Sequence, residues 1–153
     1  MISVRTPSTW KTSGVAERRI LLDTGPLVAA FRRPQDKDPY TPWAARLIRS
    51  LPYPLFTCDA VLMEAAHFLQ STAPVLEAIE RGLLVSRFDT QAAAPRLIEL
   101  AKKYADLPMD LADACLVCMS ELSKDSKIVT IDRSDFSTYR RFGREPIPII
   151  APS

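Results

Sequence analysis

Short apolar runs alternate with helix-length segments along this chain, and that alternation restricts the possible folds more than any other feature. Residues 19–23, 55–58, 83–88 and 127–131 are leucine-rich or β-branched runs too short for helices and bounded by turn residues. A fifth run, residues 146–150, carries prolines and suits a sheet edge. Between the runs, helices are predicted over 26–31, 41–50, 59–70, 73–81, from 89 or 90 to 104, 110–122 and 134–140. Pro26 fits the first turn of the first of these, Asp59 reads as an N-cap, and Gly82 as a C-cap. Val61, Leu62, Ala65, Phe68 and Leu69 fall on one apolar stripe. Strands separated by such helices predict an α/β three-layer sandwich. Its central sheet would have four or five mostly parallel strands, with right-handed crossovers placing helices on both faces.

The length of 153 residues suits one domain. Residues 1–18, by their Ser, Thr, Pro and Gly content, read as a loose tail before a domain over 19–153. The tail has no hydrophobic segment of the secretory type, and no apolar run approaches the ~18 residues of a membrane span. Three cysteines in apolar settings make no disulfide framework, so a reduced, cytoplasmic protein is expected. The net charge of +2 does not by itself announce nucleic-acid binding.

Acidic residues stand where strands end or helices begin. Asp23 ends ILLD, Glu64 lies within AVLMEAAHFL, Asp113 within MDLADACLV, and Asp132 follows KIVTI. Ligands of open parallel sheets bind outside the carboxyl ends of strands, so carboxylates placed there suggest chemistry. If four met within about 5 Å, each pair would repel by roughly 3 kcal/mol at an effective dielectric near 20. They would then need cations, protons or basic partners. Structural roles compete with this at every position. Asp23 and Asp132 could be turn formers, Glu64 a solvated helix flank, and Asp110 with Asp113 a capping arrangement at i, i+3.

The joint order of LLDTGPL, a helical Glu some forty residues on, DLADACL and IVTIDRSDF resembles the PIN domains, and among them the small VapC-type ribonuclease toxins. The resemblance spans about residues 19–150. It implies that Asp23, Glu64, Asp113 and Asp132 form a pocket binding Mg²⁺ or Mn²⁺ for RNA cleavage. Thr130 would lie near that pocket, with Thr24, Asp110 and Asp135 as accessory members. It also implies a homodimer, an RNA substrate and a small antitoxin protein that blocks the acidic groove. The chain departs from the commonest pattern in its longer N-terminus and its proline-rich stretch at 34–42.

Hard cations prefer oxygen ligands and keep several waters, so few carboxylates suffice and no histidine is required. The single histidine, His67, is expected at the surface. Cys115-x-x-Cys118 lies inside an apolar helix without a second ligand pair and reads as packing rather than redox chemistry. LDTGPLV has no lysine and is not a P-loop. Arg32, Arg33 and Lys37, together with Arg133, Arg140, Arg141 and Arg144, could form a basic rim that holds RNA phosphates. Arg32, Arg33, Arg133 and Arg140 are its leading members. One rival reading is a PIN-domain protein that processes or binds RNA without being a toxin; a more distant one is a phospho-receiver domain. It would want paired acids after the first strand and an acceptor after the third, where Asp89 stands.

Overall fold

The computed structural model describes residues 18–153. The expected tail over 1–18 therefore lies, apart from Arg18, outside the described residues. Five parallel strands form the central sheet: β1 Arg19–Leu22, β2 Leu55–Thr57, β3 Leu84–Ser86, β4 Ser126–Val129 and β7 Ile149–Ile150, in the order β3-β2-β1-β4-β7. A small antiparallel hairpin pairs β5 Arg140–Arg141 with β6 Glu145–Pro146. The helices are α1 Thr24–Phe31, α2 Thr41–Ser50, α3 Asp59–Leu69, α4 Ala73–Glu80, α5 Thr90–Lys103, α6 Leu111–Leu122 and α7 Arg133–Thr138, with a 3₁₀ turn at Pro34–Asp36.

The strand order fixes where a site can lie. From β1 the chain steps outward through β2 to β3, then returns to place β4 on the other side of β1. Right-handed crossovers in opposite directions put helices on opposite faces, and the crevice opens where the direction reverses. That switch point lies between β1 and β4, whose registers match Arg19–Leu22 with Ser126–Val129. The strands ending there are buried apolar segments, with Leu21, Leu22, Ile128 and Val129 all fully enclosed.

The core closes around α6. Ala112 and Ala114–Ser120 are buried, because the helix packs against α5 and α3 as well as against β1 and β4. At the switch point, Gly25 in the first turn of α1 faces Ile131. A Cβ there would meet Ile131 Cγ1 at 2.5 Å and Cδ1 at 2.7 Å. Gly25→Ala is therefore expected to cost about 1–3 kcal/mol by overpacking and to lower Tm by several degrees. An unchanged melting curve would show that Ile131 yields freely.

Several local expectations need correction. Cys58, not Asp59, is the N-cap of α3; Asp59 takes the first helical position, and its carboxylate accepts a 2.5 Å hydrogen bond from the Ser86 hydroxyl. Phe68 is 53% exposed; of its stripe Val61 and Ala65 are fully covered, and Leu62 and Leu69 pack partly against the core, whereas Phe68 lines the open cleft described below. The last predicted helix stops at Thr138. Beyond it comes the hairpin, whose two-residue strands leave no periodic trace, and the edge strand proper is only Ile149–Ile150.

Candidate acidic active site

Asp23 is placed by β1 and used by α1. Its backbone N–H continues the sheet to the Val129 carbonyl at 3.0 Å, while its side chain caps α1. Oδ1 accepts from the Thr24 N–H at 2.8 Å, and Oδ2 accepts from the Thr130 hydroxyl at 2.7 Å. Thr130 Oγ1 in turn accepts from the Asp132 N–H at 2.9 Å. This chain of donors ties the ends of β1 and β4 together and directs the Thr130 proton at Asp23. Asp23 thus caps α1 and at the same time lines the crevice beside the ends of β1 and β4.

The other acids reach the same crevice from distant segments. Glu64, on α3, accepts from the Thr24 hydroxyl at 3.2 Å. Asp110 caps α6 by accepting from the Asp113 N–H at 2.8 Å. That leaves the Asp113 carboxylate free of capping duty, and its Oδ2 accepts from the Tyr139 hydroxyl at 3.0 Å. A cleft of about 470 Å³ is lined by Asp23, Thr24, Glu64, Asp110, Asp113, Asp132 and Asp135. Arg32, Phe68 and Pro108 form part of its wall.

Burial and mutual repulsion make these groups reluctant anions. Asp23, 7% exposed, is pushed up to about 6 by burial, against the hydrogen bonds from Thr130 and Thr24 and with help from Asp110 and Glu64. Asp113 is pushed up to about 7, by burial first and then by the charges of Asp110 and Asp23. Glu64 is raised by partial burial and by Asp110, and Asp132 by burial and by Asp135. The chemistry of this donor set fits a hard divalent cation. Among the described residues, however, no three acidic, His or Cys side chains are grouped so as to hold a metal ion as they stand. An ion here would keep waters and lean on few carboxylates, as Mg²⁺ does.

Of the four leading arginines, only Arg32 lines the cleft, where it stands 3.3 Å from Asp38. Arg33 lies 3.6 Å from Asp36 within its own turn. Arg133 donates to the Ala151 and Pro152 carbonyls at 3.4 and 3.3 Å. Arg140 donates to the Ser137 and Tyr139 carbonyls at 2.7 and 3.1 Å. Arg141 is not a rim residue, since it is buried and donates to the Ser120 and Lys124 carbonyls at the end of α6. Sequence reasoning missed Tyr139, a buried aromatic whose hydroxyl finds Asp113 only through the tertiary fold. It also missed Asp38 and Phe68 as cleft residues. His67 is exposed as expected. Cys58, Cys115 and Cys118 are buried, and burial pushes the Cys118 thiol up to about 12.

Fold and site together define an α/β protein with an acidic switch-point crevice, a class suited to phosphoester chemistry through a bound cation. The PIN-domain family model matches residues 20–141, and the chain belongs to that family, whose members are generally nucleases. The phospho-receiver rival falls with this assignment, and Asp89 is taken up as the N-cap of α5, accepting from the Ala92 N–H at 3.1 Å. No curated protein matches the chain. Among solved structures, the chain is similar to one in the "Crystal structure of DNA bound VapBC from Salmonella typhimurium". The TM-score is 0.54 at 19% sequence identity, over 88% of this chain and 98% of that one.

Proposed function

We propose that this protein is a Mg²⁺- or Mn²⁺-dependent endoribonuclease that hydrolyses RNA phosphodiester bonds and acts as the toxin of a toxin–antitoxin pair. The observation that carries the reading is the gathering of Asp23, Glu64, Asp113 and Asp132, from four distant segments, along one cleft at the switch point. Asp23, Asp113 and Asp132, with Glu64, would hold the cation. When bound, such an ion activates water and offsets phosphate charge.

The chain's own residues prepare that site. Thr130 and the Thr24 N–H hold both oxygens of Asp23 in place, and Tyr139 orients Asp113. Arg32 offers a guanidinium at the wall for a neighbouring phosphate. The products would carry 5′-phosphate and 3′-hydroxyl ends. The toxin assignment draws on the likeness in fold to a chain of the DNA-bound VapBC complex. An acidic cleft also suits an antitoxin arginine, whose charge would stand in for the metal. A homodimer in the cytoplasm completes the reading. Among the described residues no helix is long and apolar enough to cross a membrane.

Purified protein incubated with total RNA tests this. Cleavage is expected with Mg²⁺ or Mn²⁺, to stop on EDTA addition, and to return with excess metal. Cutting that persists in EDTA would overturn the metal assignment. RNA binding without any cutting would point instead to a PIN-fold protein that has kept the groove and not the reaction.

A further inference from the structure

Three non-glycine residues take a positive φ among those described: Lys37, Gln70 and Phe142. Lys37 and Gln70 are helix C-caps, where that conformation is routine. Phe142 has no such reason. It stands at φ 53 beside Gly143 at φ 80, at the tip of the β5–β6 hairpin. Two successive positive φ values at the centre of a hairpin turn, here the Arg141–Arg144 turn of a three-residue loop, call for Asn-Gly or Gly-Gly, and an aromatic there is strained. The ring collects little burial in return, being 46% exposed.

The surroundings hold this strained residue rigidly outward. Its N–H donates to the Glu121 carboxylate at 2.6 Å, and the Lys103 ammonium donates to the Gly143 carbonyl at 2.9 Å. The Arg144 N–H closes the turn on the Arg141 carbonyl at 3.2 Å. The buried Arg141 guanidinium lies 5.7 Å from the ring centroid. Nearby negative charge is already engaged: Glu121 pairs with Arg96 at 2.8 Å, and Glu145 lies 3.5 Å from Arg141. Lys103 and Arg144 make no ion pair among the described residues, whereas the Arg140 guanidinium is held by the Ser137 and Tyr139 carbonyls. The hairpin is also coupled to the cleft, since Tyr139, which binds Asp113, directly precedes β5. From Asp113 to Glu121 along α6 is about 12 Å.

From this we infer that the Phe142 turn is a second contact for single-stranded RNA: the Phe142 ring stacks one base while Lys103 and Arg144 take the flanking phosphates. An exposed aromatic in a turn that also carries Arg144 and the Lys103 ammonium is the kind of arrangement that binds single strands with little sequence preference. The inference rests on the ribonuclease reading and extends the substrate path beyond the cleft.

The test measures fluorescence anisotropy of the full chain, in EDTA at low salt, with labelled oligo(A) and an abasic ribose-phosphate oligomer of equal length. Phe142→Asn suits the turn better than phenylalanine and so preserves the hairpin, and Phe142→Trp keeps a stacking face. Phe142→Asn is expected to weaken oligo(A) binding about tenfold and leave abasic binding unchanged, while Phe142→Trp binds oligo(A) at least as well as the parent. Equal affinity of parent and Phe142→Asn for oligo(A), or an equal loss on the abasic oligomer, would overturn the inference. So would a Phe142→Asn variant that changes self-association while RNA binding stays the same. Cleavage of total RNA by the parent protein is scored separately, so a failure of the nuclease reading is distinguishable from a failure of this contact.

Discussion

Asp23→Asn is expected to remove RNA cleavage while the protein stays folded. The loss should reach or exceed the 10²–10³-fold that deleting one preorganised charge-stabilising group costs. Asp23 is the deepest acid of the cleft and the one tied to both strand ends. Asparagine keeps its volume and still accepts from the Thr24 N–H, so the α1 cap survives. The second oxygen becomes an NH₂ that faces Thr130 Oγ1, which already accepts from the Asp132 N–H. Thr130 can accept both, provided its own hydroxyl proton turns elsewhere. The network is rearranged rather than broken, and a negative charge is gone. Matched cleavage assays and melting curves separate the two effects. A variant that folds and cuts as fast as the parent would remove Asp23 from the chemistry.

What the sequence revealed was whatever depended on neighbours in the chain. The run Ile20-Leu21-Leu22 before Asp23-Thr24-Gly25 marks both a buried strand and its end. The all-round apolarity of 111–122 marks a helix buried on every side, as α6 is over Ala114–Ser120. The acids at those junctions were visible for the same reason, since strand ends in a parallel sheet point at one crevice. What stayed hidden depended on partners far along the chain. Arg133 and Arg140 read as cleft cations, but nearby carbonyls hold them. Arg141 read as surface, yet it is drawn inward because the carbonyls at the end of α6 need donors. Phe68 read as core, because periodicity reports which side of a helix faces inward, not that one position on that side borders an open cleft. Tyr139 and the Phe142 turn gave no signal, since a two-residue strand has no period to detect.

Without divalent cations, the folded protein is expected to lose stability as pH rises from about 4 to 7. An unfolded aspartate titrates near 3.8, whereas Asp23 does so at about 6 and Asp113 at about 7 in the folded chain. Between those values the folded state binds more protons than the unfolded one, so its stability falls with pH. The contribution is fully present below 3.8 and gone above the folded values. For Asp23 alone the cost above that window is about 3 kcal/mol. Asp113 is more accessible and adds less than its shift suggests. Glu121 acts in the opposite sense: burial would raise it, but Arg96 and the Phe142 N–H pull it below its ordinary value. Its contribution is present at neutral pH and lost only in stronger acid. Metal-free stability should therefore peak near pH 4–5. A cation held by these carboxylates would restore what deprotonation removes, contributing about 2.7 kcal/mol at a hundred times its Kd. At roughly 2–4 °C per kcal/mol for a chain of this size, Mg²⁺ or Mn²⁺ should raise Tm by about 5–11 °C at pH 7.5 and much less at pH 5. In Asp23→Asn the metal-free melting temperature should vary less with pH, and the metal-induced rise should shrink. Thermal melts across pH, with and without metal, read all of these at once. A parent protein whose Tm ignores metal at pH 7.5 would show that the raised carboxylates serve no cation.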